Sequence, residues 1–270
     1  MRGMGSRTSA WAVAVAMVAV TLAGARTAPA AEVAWGSYLG AGSGDCAYGV
    51  AVDSANNVLV TGNTYSSGWV SGGWDTSRGG SSDAFVVKLS AAGGHVWSSY
   101  LGGSNFDLGT GVTVDSTNNV LVAGYTKSSG WVSGGWDTSH GSTSYYDGFV
   151  VKLNPAGGHV WSSYLGGFYD DIGEGITVDS ADNVLVAGYT DSSSWVSGGW
   201  DTSRSGTDGV IVKLSSAGSH IWSSYLGGSS SDYGTGVAVD SANNVLVTGY
   251  TYSSGWVSGG WDTSHGGTSY

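Results

Sequence analysis

Nine residues, WVSGGWDTS, recur unaltered at Trp69, Trp131, Trp195 and Trp256. Self-similarity on this scale restricts the chain to architectures that stack copies of one unit. Trp35, Trp97, Trp161 and Trp222 are separated by 62, 64 and 61 residues, and Asp53, Asp115, Asp179 and Asp240 repeat the same intervals. The length variation is confined to the stretch after WDTS: RGGSSD at 78–83, HGSTSYYD at 140–147 and RSGTD at 204–208. Loop tips accept insertions and packed strands do not, so each nonapeptide opens a long loop.

Each unit reads as four short strands. GVAVD at 49–53 is the first, followed by a turn, SANN, in which Asn suits a left-handed backbone. The second is NVLVTGYT, at 244–251 in the last copy. The Trp loop leads to AFVVKL at 84–89, a turn SAAGG, and HVWSSYLG at 95–102. β-Branched and aromatic residues dominate these runs, and helical periodicity is absent. The runs are nearly continuous in apolar residues, as in sheets covered on both faces. The expected fold is all-β, a β-propeller of four-stranded blades, with units starting near 35, 97, 161 and 222. A β-solenoid is the rival, but its coils are shorter and hairpins fit it poorly.

Residues 1–30 read as a secretory leader: Arg2 and Arg7, an apolar run from Ala10 to about Leu22, then Ala28-Pro29-Ala30. The propeller domain is then 31–270 in an exported, secreted or surface-displayed protein. The apolar run is shorter than the ~20 residues of a membrane span, so no integral membrane protein is expected. Removing Arg2, Arg7 and Arg26 leaves 6 of the 9 basic residues against 20 acidic ones, a net charge of about −14. So acidic a surface repels phosphate backbones, which excludes nucleic acid as a partner. Cys46 is the sole cysteine, so stability must come from packing rather than disulfides.

The segments WSSYLGG, GVAVDSANNVLVTGYT and DAFVVKLSAAGGHVWSSYLGG, in that order, resemble the bacterial seven-bladed β-propeller repeat (SBBP) family. The resemblance extends over about 33–270. It implies an extracytoplasmic or cell-surface propeller, often part of a larger protein, and no particular reaction. The chain departs from a seven-bladed design in length. It holds one strand at 33–40, three sets of four, and two more before position 270, fifteen in all. The last blade is therefore expected to be incomplete. A truncated frame, half of a ring closed by self-association, and an irregular four-bladed disc remain open.

Strands running up and down would place the short turns at one end, and the Trp loops with the inter-blade links at the other. That loop face is the candidate binding surface. It would present Trp69, Trp74, Trp131, Trp136, Trp195, Trp200, Trp256 and Trp261 with Asp75, Asp137, Asp201 and Asp262. Indoles stack on sugar faces, carboxylates accept hydroxyl protons, and repeated weak sites gain avidity on a polymer. The alternative is that the tryptophans fill gaps between blades, with Gly-Gly permitting the reversal. Asp45, Asp107, Asp171 and Asp232 in the links are weak candidates for calcium, which takes several oxygen ligands. No other cofactor is expected. His95, His159 and His220 read as separate edge residues, and Lys88, Lys152 and Lys213, with Asp83, Asp147 and Asp208 five residues earlier, as partners in local ion pairs or hydrogen bonds to neighbouring turns. No G-x-S-x-G, H-E-x-x-H, phosphate loop or C-x-x-C occurs, and the polar residues repeat in register. The expected function is non-catalytic binding or scaffolding, with polysaccharide or a surface protein as partner. A spacer in a larger envelope protein and a polysaccharide hydrolase or lyase are the alternatives.

Overall fold

Fourteen strands account for the regular structure in the computed structural model, which describes residues 33–265. The expected leader lies outside these residues. β1 (Asp45–Val52), β2 (Val58–Thr64), β3 (Asp83–Leu89) and β4 (His95–Leu101) form the first antiparallel sheet in sequential order. β5 (Asp107–Val114), β6 (Val120–Thr126), β7 (Asp147–Leu153) and β8 (His159–Leu165) form the second. The third is β9 (Asp171–Val178), β10 (Val184–Thr190), β11 (Asp208–Leu214) and β12 (His220–Leu226). β13 (Asp232–Val239) and β14 (Val245–Thr251) form a two-stranded fourth. No helix among the described residues is long and apolar enough to cross a membrane.

The expected strand at 33–40 is absent, so the count is fourteen rather than fifteen. The segment pairs with no strand among the described residues, yet Trp35 still packs against the first sheet and donates its Nε1–H to the Ala91 carbonyl at 3.0 Å.

β1 lies against β5, β5 against β9, and β9 against β13, so the first strand of each sheet is innermost. The approach is backbone to backbone. A Cβ added to Gly175 would sit 2.9 Å from the Cα of Gly236, closer than real Cβ atoms come. Each inner strand carries a bulge at Tyr48, Thr110, Glu174 or Thr235, skipped in the pairing with the second strand. The middle strands are covered on both faces: every residue of β3 and β7 is buried. The end faces are not covered: Val50 of β1 is 61% exposed and Leu246 of β14 53%.

The short turns follow the sequence closely. Asn56, Asn118, Asp182 and Asn243 all adopt φ between 60° and 63°, where short polar side chains are tolerated. The aspartate opening each turn accepts backbone N–H bonds from within it, as Asp53 does from Ala55 and Asn57. Adjacent turns are latched together. Ser54 N–H donates to Asn118 Oδ1 at 3.0 Å, and Asn118 Nδ2 returns a bond to Ser54 Oγ at 2.8 Å. Ser116 pairs with Asp182, and Ser180 with Asn243, in the same places.

Candidate functional site

The Trp loops do not stand on the loop face. The first three fold down the outer edge of the fourth strand of their sheets and run parallel to it, with Gly72, Gly134 and Gly198 bridging Ser98, Ser162 and Ser223. Ser98 N–H donates to Ser71 O and Tyr100 N–H to Asp75 O, both at 2.8 Å, so the sheet edge is satisfied by the loop. An uncovered edge would be open to pairing with another chain, and the loop removes that hazard. Gly134 has φ +76°, and a Cβ on Gly135 would lie 2.5 Å from Ser162 O. The Gly-Gly pair thus permits both the reversal and the close approach.

This path determines where the tryptophans go. Trp69, Trp131, Trp195 and Trp256 are half-buried in their own blades, each donating Nε1–H to a threonine hydroxyl at 3.1 to 3.3 Å. Trp69 and Trp131 meet Phe85 and Phe149 edge to face. Trp74 and Trp136 reach the next blade, where they stack on His159 and His220 at 4.3 and 4.2 Å. Trp200 and Trp261 have no such stacking partner among the described residues, and Trp200 is 72% exposed. Asp75, Asp137, Asp201 and Asp262 each accept the N–H of the serine two residues on, closing a local turn. The twelve residues therefore line the rim and the seams between blades, rather than converging on one face.

The link aspartates are buried and heavily bonded. Asp107 accepts from the hydroxyls of Thr126 and Ser128 and from Gly103 N–H. Asp45, Asp171 and Asp232 have equivalent donors. These sockets are lined by donors, whereas calcium needs converging lone pairs. Burial pushes Asp107 up to about 6 and Asp171 to about 7, against the lowering effect of those bonds. Among the described residues no three His, Cys, Asp or Glu side chains are grouped to hold a metal.

His95, His159 and His220 are separate, each bonded to the serine three residues on at 2.9 to 3.0 Å. The lysines bond to neighbouring turns as expected, Lys88 to Pro155 O and Lys152 to Ser216 O, and also form ion pairs, though not with the aspartates five residues earlier. Lys88, Lys152 and Lys213 bind Asp53, Asp115 and Asp179 at 2.8 to 2.9 Å, not Asp83, Asp147 and Asp208. The short turn brings the first set beside the third strand. The second set lies at the opposite end of that strand and accepts loop N–H groups instead, as Asp83 does from Gly79 and Gly80.

One constellation breaks the repeat, contrary to the expectation that polar groups recur in register. At the loop end, between the second and third blades, Phe106, Tyr125, Tyr146, Tyr189, Asp170 and Asp191 line a groove of about 260 Å³. Phe106, Tyr125 and Tyr146 form a triangle with centroids 5.1 to 6.2 Å apart. Lys127 Nζ lies 4.3 Å over the Tyr146 ring. Glu174 stands at the bulge of the adjoining inner strand, where Tyr48, Thr110 and Thr235 stand in the other units. Burial holds Glu174 above the ordinary carboxylate range, and burial together with charges including Glu174 pushes Tyr125 and Tyr189 up to about 12. The signal was present in the sequence as departures from the consensus: Phe106 aligns with Gly44, and Tyr146 with Ser82.

The model of the SBBP family, the beta-propeller repeat, matches residues 34–68, 96–130, 160–194 and 221–255. The uncharacterized WD repeat-containing protein L264 of Acanthamoeba polyphaga mimivirus is 28% identical over 184 residues, which are 57% of this chain and 13% of that protein. A crystal structure of a protein of unknown function from Bacteroides caccae superposes with a TM-score of 0.45 at 13% identity, over 80% of this chain and 57% of the other. The chain thus spans a minor part of the first relative and little more than half of the second.

Proposed function

From the premise that the chain belongs to the beta-propeller repeat family, we propose a non-catalytic binding and scaffolding module. It acts outside the cytoplasm, secreted or at the cell surface, and its partner is polysaccharide or a surface protein. The observation that carries this reading is how the polar side chains are used. The repeated aspartates, lysines and histidines are bonded within a blade or across a seam. The groups left over are aromatic and acidic surfaces: the exposed rim indoles and the groove between the second and third blades. Such surfaces hold a ligand by stacking and hydrogen bonding, and several weak contacts along one polymer combine into useful avidity.

Retention on insoluble polysaccharides tests the reading, with Trp200→Ala as the informative variant. Trp200 is exposed, so its loss leaves the fold in place. The expected result is retention of the native chain on at least one polysaccharide and at least a ~10-fold loss in the variant. Equal retention of both would remove the rim indoles from the binding surface. Release of new reducing ends from mixed glycans would overturn the non-catalytic assignment.

A further inference from the structure

The groove between the second and third blades combines three properties that point to one ligand chemistry. Its walls are aromatic and meet at steep angles, 76° for Phe106 with Tyr146 and 85° for Tyr125 with Tyr146, making a concave corner rather than a flat platform. The charged groups that line it are acidic, Asp170 and Asp191, and Glu174 stands at the bulge of the same β9 that follows Asp170. Glu174 accepts no hydrogen bond from the described residues and acts electrostatically on Tyr125 and Tyr189, one on each side of the seam. The cluster also already holds a cation, because the Lys127 ammonium lies over the Tyr146 ring. A ring quadrupole attracts cations at its face, and carboxylates in a partly desolvated corner add to that attraction.

We propose that this groove binds an organic ammonium group, seated against Phe106, Tyr125, Tyr146 and Tyr189 and facing Asp170 and Asp191. The proposal rests on the binding-module reading and narrows its ligand to one that carries a protonated or quaternary amine. A flat sugar face fits the corner poorly, and an anion would meet two carboxylates. The scaffold is firm. Asp170 Oδ1 accepts Tyr146 N–H at 2.8 Å, and Asp191 Oδ1 accepts the Thr207 hydroxyl at 2.6 Å, so both carboxylates are held at the rim with their second oxygens outside these bonds.

The test is calorimetric titration of the full chain with choline, with its neutral carbon isostere 3,3-dimethyl-1-butanol, and with butylammonium. Choline is expected to bind at least ~10-fold more tightly than the isostere, the preference that a desolvated cation–aromatic contact confers. Butylammonium separates the sources: parity with choline indicates a primary amine, and a clear preference for choline indicates a quaternary head. Glu174→Gln with Asp191→Asn should weaken choline about 10-fold and leave the isostere unchanged. Should that variant misfold, salt dependence on the native chain serves instead, since choline affinity must fall with ionic strength and isostere affinity must not. Equal affinity for choline and isostere, absence of choline binding, or indifference to both charge and salt would overturn the proposal. None of these outcomes depends on polysaccharide retention, so either reading can fail without the other.

Discussion

Trp97 of the first blade donates its Nε1–H to the carbonyl of Pro155 in the second, 3.0 Å across the seam. Trp161 makes the same bond to Ser216 O at 3.1 Å, and both rings lie flat against the glycine of the receiving turn, Gly157 or Gly218. Trp97→Phe should retain most of the packing and leave the Pro155 carbonyl only its longer bond from Lys88 Nζ at 3.4 Å, at a cost of about 1 kcal/mol. Trp97→Ala should cost ~3–5 kcal/mol, because a large buried side chain is lost without full collapse of the site. Urea unfolding of the two variants checks the order. Equal costs would mean that the bond, not the ring, holds the seam.

Lys152 and Asp115 form a buried pair at 2.9 Å, and Lys152 also donates to Ser216 O in the next blade. Lys152→Met leaves a buried carboxylate that keeps its turn donors, Thr117 N–H and Asn119 N–H. The expected cost is about 3 kcal/mol, the low end for breaking a buried pair. Adding Asp115→Asn should recover much of it, and a double-mutant cycle showing no coupling would refute the pairing as a stabilising contact.

Gly135→Ala places a methyl group against the Ser162 carbonyl, a backbone atom that cannot yield without disturbing β8. The loop should lift from the strand edge. Limited proteolysis should then cut near position 135 faster than in the native chain, with a stability loss of ~2 kcal/mol. Unchanged protease sensitivity would place the loop elsewhere.

Two sets of carboxylates titrate in opposite directions. Burial pushes Asp147 and Asp171 up to about 7 and Asp208 to about 6, so these groups bind more protons folded than unfolded. Their effect lowers stability as pH rises from about 4 towards 7. Asp53, Asp115 and Asp179 are held near 2, because hydrogen bonds from the turn asparagines and the lysines outweigh the opposing effect of burial. Their contribution is present above the unfolded carboxylate range and is lost as pH falls from about 4 towards 2. Thermal unfolding should therefore show a maximum near pH 4–5, with a lower midpoint at pH 8. A midpoint that climbs steadily to pH 8 would contradict the raised set.

Trp136 and Trp200 occupy the same repeat position, one stacked on His220 and the other exposed. Trp200→Ala should change stability by no more than ~0.5 kcal/mol, as exposed substitutions do. Trp136→Ala should cost at least ~1 kcal/mol through its lost stacking contact. Matching thermal midpoints would remove the stacking as a stabilising contact.

The four-strand unit was legible because period and turn chemistry agree. Asn56 takes the backbone conformation that SANN suggests, and β3 is buried on both faces as its unbroken apolar run implies. The Trp-loop path was not legible. Nothing local in WVSGGW tells a loop that stands free from one that folds back, since the deciding partners, Ser98 N–H and Tyr100 N–H, lie more than twenty residues away. The bonds from the lysines to neighbouring turns were legible, but their aspartate partners were not, for a related reason. Spacing along one strand suggested Asp83 for Lys88, but β3 carries the two to opposite ends and the first turn brings in Asp53. Phe106 and Glu174 were visible as departures from the consensus, but only the fold relates both to Tyr125.

The serine latch between neighbouring turns has one polarity. The serine always belongs to the earlier blade and its partner to the later one: Ser54 pairs with Asn118, Ser116 with Asp182, and Ser180 with Asn243. The stack therefore has a tongue side and a groove side, like floorboards. A unit duplicated in frame arrives already fitted at both joints, so the number of blades can change over generations without any seam having to be reinvented.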